Sequence, residues 1–109
     1  MATYFHTTSV PGIGTVNTTL LAPPPTSVYT IIGFNVANTT DYDVIISCTV
    51  TDATPNVSTY INGLVIPPYT SAKLINNGEK LIISGSCLLK LISDTANSVD
   101  VTLSYAEIV

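Results

Sequence analysis

Val, Ile and Thr fill more than a third of the chain, and a side chain branched at Cβ fits a pleated strand better than a helical turn, which leaves it little χ1 freedom. The period of the apolar residues agrees with that preference. Over 43–51 (DVIISCTVT) Val44, Ile46, Cys48 and Val50 share one face and Ile45, Ser47, Thr49 and Thr51 the other. Over 99–108 Val99, Val101, Leu103 and Tyr105 alternate with Asp100, Thr102 and Ser104. A two-residue period of this kind is that of a half-buried strand, and no segment carries a helical period. The chain is expected to be all-β.

Turn residues punctuate the strands. The sequence predicts strands over 15–21, 27–38, 43–51, 57–61, 69–75, 79–84, 86–92 and 99–108, with Leu64-Val65-Ile66 as the return arm of a hairpin over 57–66. Pro23-Pro24-Pro25 fixes an extended connector after the first of them. A shift of parity around Thr30 and Gly33 predicts a bulge that leaves Val28, Ile32, Phe34 and Val36 on one side. Asn62-Gly63 between apolar residues predicts the turn of a hairpin over 57–66, because both central positions of such a turn take positive φ. Asn76-Asn77-Gly78 predicts a second tight turn. Seven to eight short strands at this spacing read as an antiparallel β-sandwich of jelly-roll or Ig-like type. Residues 1–13, with Pro11 and Gly12, are expected to be an extended N-terminal arm, and 14–109 the sandwich domain.

Charge and cysteines narrow the function classes. Only 9% of the 109 residues are charged, against about 25% in an ordinary soluble domain. With 46% hydrophobic residues and a net charge of −4, the composition is not that of a disordered chain. Three lysines and no arginine provide no basic stripe for phosphates, so nucleic acid is not an expected partner. No apolar run reaches the roughly 20 residues of a membrane span, and residues 1–13 lack the basic start and apolar core of a signal peptide. Cys48 and Cys87 share the parity of buried neighbours and are expected to be core thiols. The sequons at Asn17, Asn38 and Asn56 are chance matches in a chain rich in Thr and Ser.

Groups able to exchange protons or attack are few. His6 lies in the expected arm, away from any nucleophile. Asp41 and Asp43 form the one close carboxylate pair, in a segment where aspartates cap turns. Two separated cysteines and one histidine make no zinc site, and Gly12-Ile13-Gly14 makes no phosphate loop. The reading is non-enzymatic, with no cofactor and no metal. Tyrosine is enriched at protein interfaces, so Tyr4 and Phe5 with His6 on the arm, and Tyr60 and Tyr69 around Pro67-Pro68, are the candidate partner contacts. A surface of Thr, Ser and Asn leaves sheet edges without the charges that deter pairing, which points to permanent neighbours and a homo-oligomer, with a trimer as the form expected.

The runs GFNVANTT (33–40), YINGLVIPPYTSAKLI (60–75) and GEKLIISGSCLLKLISDTANSVDVTLSYAEI (78–108) resemble small virion proteins of tailed bacteriophages. Gly85-Ser86-Cys87 stands where that pattern has Gly-Asp. The resemblance implies a structural role in the virion, assembled in the host cytoplasm: a capsid decoration or cement protein bound to the major capsid protein. The alternative it allows is a tail, collar or fibre-associated module whose loops at 52–56 and 93–98 contact other virion proteins or a host glycan.

Overall fold

The computed structural model describes residues 2–75 and 81–109. The turn expected at Asn76-Asn77-Gly78, and the start of the strand expected over 79–84, lie outside the described residues. Within them the chain forms β1 (Thr3–Ile13), β2 (Thr18–Leu21), β3 (Val28–Asn38), β4 (Val44–Thr51), β5 (Val57–Ile66), β6 (Ser71–Lys73), β7 (Leu81–Ser84), β8 (Leu88–Ser93) and β9 (Val99–Ile108). None of the described residues is helical, and the all-β expectation holds.

The strands make two antiparallel sheets, ordered β1-β9-β3-β6 and β2-β8-β4-β5, with β7 also on β3. β6 pairs with Asn35–Ala37 and β7 with Val28–Ile31, so the two lie end to end along one edge of β3. Taken as one interrupted strand, they complete a nested set: β4 with β5, β3 with β6 and β7, β2 with β8, and β1 with β9. One long hairpin folded over on itself gives this order, which is that of a jelly roll. The immunoglobulin order instead pairs the first strand with the second.

Alternation puts the core between the sheets. Phe34, Ile31, Val36, Val44, Ile46, Cys48, Leu89, Leu91, Val99, Val101 and Leu103 are buried and packed together. Their partners on the opposite parity, such as Asp100 and Thr102, face solvent. The predicted bulge in β3 is present as a register shift between Ile31 and Gly33. It turns Ile31 inward and leaves Ile32 exposed, the reverse of the expected assignment for Ile32.

Two expectations are corrected. Residues 3–13 do not stand apart as an arm: β1 pairs residue for residue with β9 from Thr3↔Ile108 to Val10↔Val101. Backbone donors and acceptors, not buried side chains, hold it there, which is why its sequence carries no inward apolar stripe. Asn62-Gly63 is not a hairpin turn either. β5 runs straight past it, with Leu64 opposite Ile46 and Ile61 opposite Cys48, so the pair forms a β-bulge. Gly63 has φ +66°, the conformation that a glycine bulge also requires. The true hairpin is the 52–56 loop, where the Asp52 carboxylate accepts Thr54 Oγ1 at 2.6 Å, Asn56 N at 2.8 Å and Thr54 N at 2.9 Å. Those bonds hold its carboxyl below the ordinary range, with the Thr54 hydroxyl as the largest cause.

Short crossings fix which loops share an end. Residues 14–17, 39–43, 67–70 and 94–98 meet at one end, tied by Ser98 N to Ile13 O at 3.0 Å, Thr39 N to Ser98 O at 2.9 Å and Asn38 N to Thr70 O at 2.9 Å. The 22–27, 52–56 and 85–87 connections lie at the other, where Ser86 N donates to Pro23 O at 3.3 Å. At the first end Asn38 is a buried hub. Its Nδ2 donates to Tyr42 O, Ile66 O and Pro67 O, while its Oδ1 accepts from Thr40 N and Thr40 Oγ1.

Candidate functional site

The residues with chemistry collect at the second end, on the inner side of the β1-β9-β3 sheet. Pairing of β1 with β9 sets His6 opposite Tyr105 and Tyr4 opposite Glu107, and pairing of β3 with β9 sets Tyr29 opposite Glu107. Tyr29 and Tyr105 stack with ring centroids 4.6 Å apart, and the His6 ring lies tilted 5.3 Å from Tyr105. Glu107 joins the two sides: Oε1 is 3.0 Å from His6 Nε2, and Oε2 accepts from Ser27 Oγ at 3.0 Å. Burial first, then the Glu107 carboxylate and Tyr105, push the Tyr29 phenol above its ordinary value.

Serine, histidine and glutamate thus lie within one cluster, but in the order Ser27–Glu107–His6. A serine nucleophile needs the imidazole beside its hydroxyl to take the proton, with the carboxylate behind the imidazole. Here the carboxylate stands between them, so the arrangement ties β1 and the Ser27 turn to β9. The His6–Glu107 pair is half exposed, and a pair of that kind contributes about 0–1 kcal/mol.

The outer side of the same sheet carries exposed apolar side chains among threonines and serines. Phe5 is opposite Ala106, Ala106 opposite Thr30, and Thr30 opposite Ile82, one row across four strands. Phe5 is 77% exposed and Ile82 61%. Ile32, pushed out by the β3 bulge, adds to this face. On the other sheet Ile45 and Val65 form a second exposed pair on neighbouring strands.

The five candidate contact residues do not form one surface. Tyr4, Phe5 and His6 are together on β1, though Phe5 faces away from the other two. Tyr60 is on β5, its hydroxyl 3.5 Å from Leu74 O, and Tyr69 is 74% exposed in the 67–70 turn with φ +53°. β1 and β5 are the outer strands of different sheets. The short β1–β2 and β5–β6 crossings put those strands at opposite edges of the sandwich. The 52–56 and 93–98 loops likewise lie at opposite ends. Sequence reading singles out none of Ser27, Tyr29, Tyr105 and Glu107 as a contact. Pairing of β9 with β3 brings them together and pairing of β9 with β1 adds His6, and no local pattern announces either pairing.

Cys48 is buried on β4 and Cys87 half-buried ahead of β8, both as free thiols. Burial pushes the Cys48 thiol up to about 12, which removes it from nucleophilic or ligand chemistry near neutral pH. No group of His, Cys, Asp or Glu among the described residues is placed to hold a metal. Compared with known proteins, the chain matches no family model and no curated protein.

Proposed function

We propose that this chain is a non-enzymatic structural protein of a bacteriophage virion, a capsid decoration or cement protein that binds and stabilises the lattice of the major capsid protein. The observation that carries the reading is the exposure of Phe5, Ile32 and Ile82 on the outer side of the β1-β9-β3-β7 sheet in a chain of low charge. An exposed apolar face marks a protein contact. A chain that spends its life between neighbours has little need of the charge that keeps a free domain soluble. The jelly-roll order is also found among viral capsid domains, a fold analogy that raises the reading without naming a site. The work done is mechanical: apolar area and tyrosine-bearing edges are removed from water against adjacent subunits.

Locating the protein in purified particles of the phage that encodes it tests this. Hundreds of copies spread over the shell in an electron-microscopy reconstruction are the expected result. A few copies at the tail or collar support the tail-module alternative, and absence from the particle overturns both.

A further inference from the structure

We propose that the free edge of β1 pairs with the β1 edge of a second copy of this chain, antiparallel about a two-fold axis through Phe5.

Of the edges the two sheets leave open, β1 is the one built to accept a strand. β2 spans 4 residues, β6 spans 3 and β7 spans 4. β5 has 10 residues but two register shifts, one carrying Gly63. β1 keeps unbroken register from Thr3 to Val10, and its only irregularity lies beyond, between Val10 and Ile13. Free edges are normally guarded by Lys, Pro, bulges or short length. The Thr3–Val10 stretch has none of these; it holds no Lys, Asp or Glu, and His6 points to the inner face and is occupied with Glu107.

The direction of the free backbone groups narrows the register to pairings of the Thr3, Phe5, Thr7 and Ser9 set with itself, and the side chains choose among these. Ala2 and Val109 exchange both bonds, Ala2 N to Val109 O at 3.2 Å and Val109 N to Ala2 O at 2.9 Å. In an antiparallel ladder bonded and non-bonded pairs alternate, so Tyr4, His6 and Thr8 also bond to β9. Thr3, Phe5 and Thr7 therefore aim their N–H and C=O at the open edge. A two-fold axis at Phe5 matches these groups: Phe5 bonds Phe5 of the copy, and Thr3 bonds Thr7.

The side chains agree with the same register. On the outer face Phe5 packs on Phe5 of the copy, which joins the row Ile82–Thr30–Ala106–Phe5 to its symmetry mate and covers the most exposed large apolar side chain of the fold. On the inner face Tyr4 comes opposite His6 of the copy. Aromatic cross-strand pairs of both kinds are favourable. The two Glu107 carboxylates sit three strand spacings apart, roughly 14 Å, beyond a screening length of about 8–10 Å. A two-fold pairing closes at two copies, so a dimer takes the place of the trimer expected from sequence. The inference needs only the strand edge and stands apart from the virion reading: a particle without the chain and a monomeric chain are separate failures.

The test is sedimentation equilibrium of the full chain from about 1 to about 100 µM, with circular dichroism to follow folding. The wild type is expected to dimerise. Phe5→Lys and Phe5→Glu each set like charges opposite one another, and each should weaken association by at least about tenfold while the folded spectrum is kept. An equimolar mixture of the two should dimerise again as a heterodimer. Thr7→Pro removes an N–H that β9 does not use, and it should also yield a monomer. A wild type that is monomeric throughout, or that forms a trimer, overturns the proposal. So does a dimer indifferent to both Phe5→Lys and Thr7→Pro, or folded charge variants whose mixture stays monomeric.

Discussion

Asn38 carries more of the fold than its size implies. Its amide bonds to three carbonyls from two stretches of chain, and its oxygen holds the Thr40 turn. Asn38→Ala removes the side-chain donor from the Tyr42, Ile66 and Pro67 carbonyls, and each weakened or lost bond at this part-buried site costs about 1–3 kcal/mol. A loss of about 2–4 kcal/mol in urea unfolding is expected. Asn38→Asp should lose nearly as much, since a carboxylate cannot donate to the carbonyls. Cys48 supplies the pH dependence. Its thiol is raised from 9.0 to about 12 in the fold, so the unfolded chain ionises first as the solution becomes alkaline. The stabilisation is complete below pH 9 and is lost as pH climbs towards 12, a change on the order of 4 kcal/mol. Tyr29, also raised, acts in the same direction. Chemical unfolding between pH 8 and 11 should show falling stability that Cys48→Ala flattens. A thiol reagent at pH 8 should modify half-buried Cys87 well before Cys48.

At the scale of elements, the glycines separate turns that need space from turns that need only conformation. A Cβ on Gly85 would meet Pro25 O at 2.5 Å and Pro24 O at 2.6 Å, backbone atoms held by the proline run and unable to yield. Gly85→Ala should cost upwards of about 2 kcal/mol. A Cβ on Gly63 meets nothing within 4 Å, so Gly63→Ala should cost only the roughly 1–2 kcal/mol of a left-handed residue. Thermal unfolding of the two variants orders them. The same positions show what sequence can reveal. Alternation marked β3, β4, β8 and β9 because each is buried on one face. Asn62-Gly63 announced positive φ but not whether a turn or a bulge would use it. β1 was read as an arm because its order comes from a ladder to β9, about a hundred residues away, and not from burial of its own side chains. The His6–Tyr105–Glu107 cluster was illegible for the same reason. Its members meet only once first and last strands pair.

For the whole molecule, nested pairing has a kinetic consequence. Thr3↔Ile108 closes nearly the full length of the chain, and such non-local topologies fold in roughly milliseconds to seconds. Stopped-flow refolding should fall in that range, and a microsecond folder would be inconsistent with this topology. The low charge has a consequence of its own. With 9% charged residues, little charge guards the long β1 edge, the edge proposed to pair with a second copy. Residue-resolved hydrogen exchange on β1, measured at low and high concentration, reads this directly. Tyr4, His6 and Thr8 amides bond to β9 and should be protected at every concentration. Thr3, Phe5 and Thr7 amides should become protected only as concentration rises. Fast exchange at Thr3, Phe5 and Thr7 at all concentrations would contradict an edge that pairs with its own copy.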